Sequence, residues 1–290
     1  MLNSIRSKQI IAIGAVMLLM FFLFTRDIKG LVKTEEETTK GGPTAGAQMA
    51  DQTPAAIDLV EVSTAAKNNL EANEATEITS LEQAYNSASE SDKGFAAKAL
   101  AQKWDSVDQD IPSALYLEIL ANKAKSLPNW LAAGDKFMKA FDNTRDSLLQ
   151  PSLLQRANAS YKNALTLDST SIDAKTGLGV TIVNGMGMPM QGIAMLLDVV
   201  KKDPKNLKAN MSLGTFAIKS GQFDKAITRF NDIIAIKPSP DAYFYLATAY
   251  ENLGRNAEAI DAYVKSKKLA GNPTLSKFID DKVIELKSKS

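Results

Sequence analysis

The strongest constraint on the fold is a ten-residue pattern that occurs twice, 33 residues apart. Residues 221–230 have the sequence GQFDKAITRF, and residues 254–263 have the sequence GRNAEAIDAY. A glycine, an Ala-Ile pair and an aromatic residue return at the same offsets. A fixed period of about 34 residues indicates a supersecondary unit that stacks on copies of itself. We therefore expect the body of the chain to be a repeat array.

Each repeat unit is predicted to contain two helices. In the second half of one unit, apolar residues recur at three- and four-residue spacing, which gives a helix one apolar face. These residues are Ala226, Ile227, Phe230, Ile233 and Ile234. In the first half, the small residues Gly214 and Ala217 allow a neighbouring helix to approach closely. Pro238 ends the second helix and begins the next unit.

This register resembles the tetratricopeptide repeat (TPR) family, whose pattern is W-x2-L-G-x2-Y, then A-x3-F, then P. The matching residues in 172–206 are Leu178-Gly179, Gly192, Leu196 and Pro204. Those in 207–239 are Leu213-Gly214, Ala226, Phe230 and Pro238. Those in 240–272 are Tyr243, Leu246-Ala247, Tyr250, Ala259 and Tyr263. The resemblance implies an all-α, TPR-type solenoid of helical hairpins, wound as a right-handed superhelix. It also predicts a helix over the segment VTIV, which by itself would favour a strand.

The pattern is weaker upstream of residue 172. A unit over 127–171 contains an insertion of about ten residues around DNTRDSLLQP, which the family pattern lacks. The region 57–126 is predicted to be helical and to contain a degenerate repeat over 94–126. Trp104 of this region and Trp130 of the following unit could stack on a ligand, but their helical spacing favours the core. Residues 57–90 fit no repeat register. Residues 273–290 are predicted to form a helix that caps the array of 127–272.

The first 32 residues are predicted to be an uncleaved membrane anchor. An uncharged apolar run from Ile10 to Phe24 would form roughly 22 Å of helix, and residues 9–25 could extend it towards the roughly 30 Å of a bilayer core. A cleaved secretory signal is the alternative, but no small-x-small site follows the run. Residues 33–56 are rich in Gly, Thr, Ala and Pro and are predicted to be a flexible linker. We expect the body in the periplasm of a bacterial inner membrane; the cytoplasm is the alternative.

The composition excludes several kinds of chemistry. The chain has no Cys and no His, which removes Cys/His zinc sites, thiol nucleophiles, disulfides and His-dependent triads. A net charge of +1 gives no electrostatic reason to expect nucleic-acid binding. The thioethers of Met186, Met188 and Met190 could bind Cu(I), but a turn between two helices explains them better. We predict no enzyme, no cofactor and no metal.

The resemblance implies a protein-binding scaffold, because TPR proteins mostly act as adaptors whose first helices line a concave groove. Carried over by position, the predicted groove residues are Val180, Val183, Asn184, Met211, Thr215, Ile218, Lys219, Phe244, Thr248, Glu251 and Asn252. The partner would be a protein or a peptide. The alternatives are a structural or assembly protein of the cell envelope without a regulated ligand and, less favoured, an enzyme subunit.

Two features of the sequence restrict the kind of ligand that the predicted groove would bind. Some chaperone-binding relatives use a Lys/Arg/Asn clamp for acidic tails, but the corresponding positions here are Thr176, Val180, Asp241 and Tyr245. The clamp is therefore absent. Met211, Ile218 and Phe244 are predicted to form an exposed apolar strip for a partly apolar segment. The alternative is that residues 57–90 of the same chain cover this strip.

The anchor prediction can be checked by the mass of the protein extracted from membranes. Because no cleavage site follows Phe24, we expect an N-terminus that precedes Ile10. A water-soluble product that begins near Gln48 would contradict the anchor, since a small-x-small sequence occurs at 45–47.

Overall fold

The computed structural model describes residues 56–185 and 187–288, which contain thirteen helices and no strand. In chain order they are α1 Leu59–Lys67, α2 Ala72–Ser87, α3 Lys93–Ser106, α4 Asp110–Ala124, α5 Leu127–Asn143, α6 Gln150–Leu167, α7 Ile172–Gly185, α8 Pro189–Lys202, α9 Leu207–Lys219, α10 Phe223–Ile236, α11 Pro240–Asn252, α12 Asn256–Ala270 and α13 Pro273–Ser288. The predicted anchor, and the predicted linker up to residue 55, lie outside these ranges. Within them, no helix combines the length and apolarity needed to cross a bilayer.

Each helix from α2 onwards packs against the next one in the chain, as stacked helical hairpins do. The prediction of an all-α, TPR-like solenoid is therefore confirmed for the described residues. The segment VTIV at 180–183 lies inside α7, so the repeat register overrides its local preference for a strand. Trp104 and Trp130 are both buried, as predicted.

In two of the hairpins, an aromatic ring of the second helix packs against a glycine of the first. The Phe230 ring lies against Gly214, where a Cβ atom would come within 2.8 Å of the ring. Tyr161 is more tightly enclosed, because it lies against Gly134 of its own hairpin and Gly177 of the next. These contacts explain why the repeat pattern requires a small residue and an aromatic one at fixed spacing.

The turns between paired helices share a backbone conformation. Gly221 and Gly254 have φ angles of 72° and 70°, in the left-handed region that favours glycine. Asp108, between α3 and α4, has a φ of 55° at the corresponding point of its hairpin. Aspartate is among the few other residues that tolerate this region, so the turn of α3 and α4 is built like those of the clear repeats.

The region that fits no repeat register forms two helices with different packing partners. Helix α2 packs on α3, whereas α1 packs on α4. Ile57 and Leu59 join the same apolar cluster as Leu149, which lies in the insertion between α5 and α6. The start of the described chain and the insertion thus share one part of the core.

Helix α13 closes the array. It packs on α12, and the side chains of Ile279 and Leu286 are almost wholly buried there. Helix α13 is also joined to α11 by an ion pair, in which Lys282 Nζ lies 2.8 Å from Glu251 Oε1. The packing is that expected of a terminal helix that covers the apolar face of the last repeat.

The close contact at Gly177 predicts the effect of one methyl group. In Gly177→Ala the new Cβ would lie 2.3 Å from the ring of Tyr161, which is fully buried and has no space to move. Overpacking of this kind costs about 1–3 kcal/mol, more than the gain of up to about 1 kcal/mol in helix propensity. Urea denaturation should therefore show a less stable protein. Gly94→Ala is the control, since its Cβ would meet only ordinary contacts at 3.7 Å and stability should be kept or raised. Equal midpoints would contradict this packing.

The two isoleucines of α13 test whether this helix is a packed cap. Ile279 is 0% exposed and Ile284 is 68% exposed. Ile279→Ala should lower the free energy of unfolding by roughly 2–5 kcal/mol, because it leaves a cavity in the contact with the last repeat. Ile284→Ala should change it by less than about 0.5 kcal/mol. Similar thermal unfolding curves for the two variants would mean that α13 does not cap the array.

Candidate protein-binding surface

The first helices of the repeats form one continuous surface. Helix α5 contacts α7, α7 contacts α9, and α9 contacts α11, so these four helices lie side by side. The second helices α6, α8, α10 and α12 pack behind them. In a solenoid of helix pairs, this arrangement gives an extended surface on the side of the first helices, which we call the inner face.

Helix α7 is almost wholly enclosed within this face. Ala174 and every residue of 176–182 are buried, because α5 and α9 pack on either side of α7 and its glycines allow α6 and α8 to approach closely. Val180 is only 7% exposed and belongs to the core. The structure therefore places this predicted groove residue where it offers almost no contact surface. Val183 and Asn184, at the end of α7, are half-buried.

A polar link connects α5 and α9 across this part of the inner face. Lys208 Nζ lies 2.7 Å from Asp135 Oδ1 and donates to Tyr161 Oη at 3.2 Å. Tyr161 Oη in turn donates to Asp135 Oδ1 at 2.7 Å, so the buried phenol has a partner. Burial and the Asp135 carboxylate both raise the pKa of Tyr161. The ammonium group of Lys208 also lies 5.4 Å from the centre of the Tyr161 ring, within cation–π range.

The remaining predicted groove residues lie on α9 and α11 and are more accessible. Half-buried are Met211, Thr215, Ile218, Phe244, Thr248 and Glu251, and exposed are Lys219 and Asn252. The three apolar members of this set each pack partly against the core, so the predicted strip is shallower than a fully exposed one. Their assignment as contact residues stays a prediction.

The end of the inner face contacts the cap, and not the region 57–90. The Phe244 ring packs against Tyr263 and Phe278, with ring centres 5.5 and 6.0 Å apart. Glu251 accepts a hydrogen bond from Tyr263 Oη as well as one from Lys282. Burial raises the pKa of Tyr263 to about 12. Because α1 and α2 pack on α4 and α3, the apolar strip has no cover from that region.

The sequence analysis named Asp241 and Tyr245 only as occupants of the clamp positions, and it missed the carboxylates of Asp135 and Asp142. Tyr245 stacks on Phe230 with ring centres 5.6 Å apart, and burial together with the charges of Asp241 and Asp142 raises the pKa of its phenol. Asp142 lies at the end of α5 and Asp241 at the start of α11. Asp135 occupies the same position in its repeat unit as Val180, Thr215 and Thr248 do in theirs, so the repeat register could have indicated it. No periodic signal indicates Asp142.

The other candidate sites receive less support. Met186, one of the three possible copper ligands, lies outside the described residues, and Met188 and Met190 are exposed. The described part of the chain contains no group of three or more His, Cys, Asp or Glu side chains arranged to bind a metal ion.

Comparison with known proteins supports the repeat assignment. Residues 217–273 match the family model of the tetratricopeptide repeat. Among solved structures, a thermophilic TPR protein of Thermus thermophilus superimposes with a TM-score of 0.53 at 16% identity, over 66% of this chain and 99% of that one. This likeness confirms the TPR-like fold. A sequence comparison with curated proteins finds no match.

Two further solved structures superimpose with lower TM-scores. MamA has a TM-score of 0.44 and 22% identity, over 58% of this chain and 93% of that one. YrrB, described as a TPR protein with an unusual peptide-binding site, has a TM-score of 0.42 and 15% identity, over 69% of this chain and 97% of that one.

Proposed function

We propose that this protein is a protein–protein interaction scaffold that binds a segment of a partner along the inner face of α9 and α11. The observation that carries the proposal is the row of half-buried apolar residues on that face, Met211, Ile218 and Phe244. Such residues pack only part of their surface against the core and leave the rest available to a ligand. Extended surfaces of helical solenoids serve this purpose generally.

The proposed binding surface is narrower than the one predicted from the sequence. The enclosure of α7 and the link between Lys208 and Asp135 fill the part of the inner face next to α5. The accessible surface therefore begins at α9 and extends to the contact of Phe244 with Phe278 of the cap. We further propose that residues 9–25 hold this scaffold at a membrane, with the body in the periplasm.

Two threonines provide a matched test of the binding face. Thr215 lies on the inner face of α9, and Thr228 is exposed on α10, one of the second helices. A photocrosslinking amino acid at position 215 of the full-length membrane protein should give a discrete adduct, detected as a shifted band and identified by mass spectrometry. The same amino acid at position 228 should give none, because α10 lies behind the inner face. Equal adducts at both positions would contradict the proposal.

Met211→Ala should weaken the adduct at position 215 about fivefold, because a central contact residue of an interface contributes roughly 1 kcal/mol or more. The thermal unfolding midpoint should change little, since Met211 is only half-buried. Phe244→Ala is a less selective variant, because this ring also packs on Tyr263 and Phe278. A Met211→Ala variant that unfolds many degrees earlier would show that Met211 belongs to the core.

A further inference from the structure

The polar side chains along the proposed binding surface already have hydrogen-bond partners in the chain itself. The hydroxyl of Thr215 donates to the carbonyl oxygen of Ser212 at 3.1 Å, and that of Thr248 donates to the carbonyl oxygen of Phe244 at 3.0 Å. The side-chain amide of Asn252 donates one N–H to the carbonyl oxygen of Thr248 at 2.8 Å. Because a hydroxyl has a single proton to donate, neither threonine has a donor left for a ligand.

The charged groups of this surface are either paired or lie at its ends. Glu251 accepts hydrogen bonds from Tyr263 Oη at 2.7 Å and from Lys282 Nζ at 2.8 Å. Lys219 forms no ion pair within the described residues, but it is the last residue of α9. Asp241 is likewise without an ion pair there, and it is the second residue of α11. The middle of both helices therefore carries no unpaired charge.

Two other hydroxyls, those of Ser212 and Tyr245, form no hydrogen bond within the described part of the chain. Both side chains are half-buried. They directly follow Met211 and Phe244, so each is turned by about 100° from its predecessor on the helix. Tyr245 takes this direction to stack on Phe230 of α10. These hydroxyls therefore lie beside the apolar row and not in it.

The backbone of an extended peptide would find few partners on this surface. Each of its residues presents an N–H donor and a C=O acceptor, and a carbonyl group that is buried without a donor costs binding free energy. The side chains of Met211, Ile218 and Phe244 contain no donor, and the hydroxyls of Thr215 and Thr248 are already engaged. An α-helix avoids this cost, because its N–H and C=O groups bond to each other within the helix.

The size of the surface also suits one helix. Met211 and Ile218 are seven residues apart on α9, which corresponds to about 10 Å along its axis. Helix α9 contacts α11 directly, and packed helices lie about 8–10 Å apart. A further helix, about 10 Å wide, fits between α9 and α11 and places two turns of one face on the apolar row.

We propose that the segment bound between α9 and α11 is an amphipathic α-helix of the partner. Its apolar residues recur at three- and four-residue spacing on the side that faces Met211, Ile218 and Phe244. The inference rests on the proposed function and adds the conformation of the ligand to it. Because the contact is apolar and the middle of the surface has no unpaired charge, binding depends little on salt.

Two fluorescent peptides test this inference on the purified full-length protein, with detergent alone as the blank. Both have about 15 residues, no net charge and leucines along one helical face. In the second peptide, a central alanine of the opposite face is replaced by proline, which breaks the helix and keeps every leucine. In fluorescence anisotropy, the first peptide should bind with an affinity that changes less than about twofold when salt is added. The proline peptide should bind at least about tenfold more weakly.

Two methionines provide a matched pair of variants. Met211→Ala should weaken binding of the helical peptide about fivefold, because it removes a contact at the centre of the surface. Met190→Ala should leave binding unchanged, since it removes a 70% exposed methionine from α8, one of the second helices.

Three results would overturn the inference: equal binding of the two peptides, no binding of the helical peptide, or an equal loss in both methionine variants. None of them decides the proposed function, which depends on the adducts at positions 215 and 228. An adduct at position 215 together with equal binding of the two peptides would keep the scaffold and reject a helical ligand.

Discussion

The contact between a large buried side chain of a second helix and a small residue of a first helix, most often a glycine, is the constraint on which the solenoid depends. At Gly214 there is no room for a side chain beside Phe230, and at Gly177 there is even less beside Tyr161. Because protein interiors are close-packed, such a contact sets the distance between two helices within a few tenths of an ångström. Repetition of the contact sets the spacing of the whole array, since each unit of a solenoid touches only its neighbours.

The tightest of these contacts also shapes the inner face. Tyr161 lies between Gly134 and Gly177, so α5, α6 and α7 approach closely and α7 is enclosed. A buried phenol needs a hydrogen-bond partner, and Asp135 accepts the bond. That carboxylate is in turn balanced by Lys208 from α9. The polar link across the face is therefore a consequence of core packing, and it directs the accessible surface towards α9 and α11.

The repeat register predicted the parts of the structure that depend on one helix and its partner. It identified Gly214 and Phe230 as packing residues and α7 as a helix despite its β-branched segment. It also predicted that Val180 lines the groove, whereas Val180 is buried in the core. Position within a repeat states which way a side chain points, but not how closely the neighbouring helices approach. The repeat register also could not predict that α1 packs on α4, because residues 57–90 follow no repeat period.

The repeat over 127–171, which contains the insertion, contributes an exposed carboxylate to the surface. Helix α5 has 17 residues, against 13 in both α9 and α11, and it leads into the insertion that the family pattern lacks. Its four additional residues, about 6 Å of helix, carry Asp142. A first helix of regular length would end before this residue, and the carboxylate would be missing from the vicinity of Tyr245 and Lys208. The regular contacts thus determine how the helices stack, whereas the departure from the repeat adds a carboxylate that interacts with Lys208.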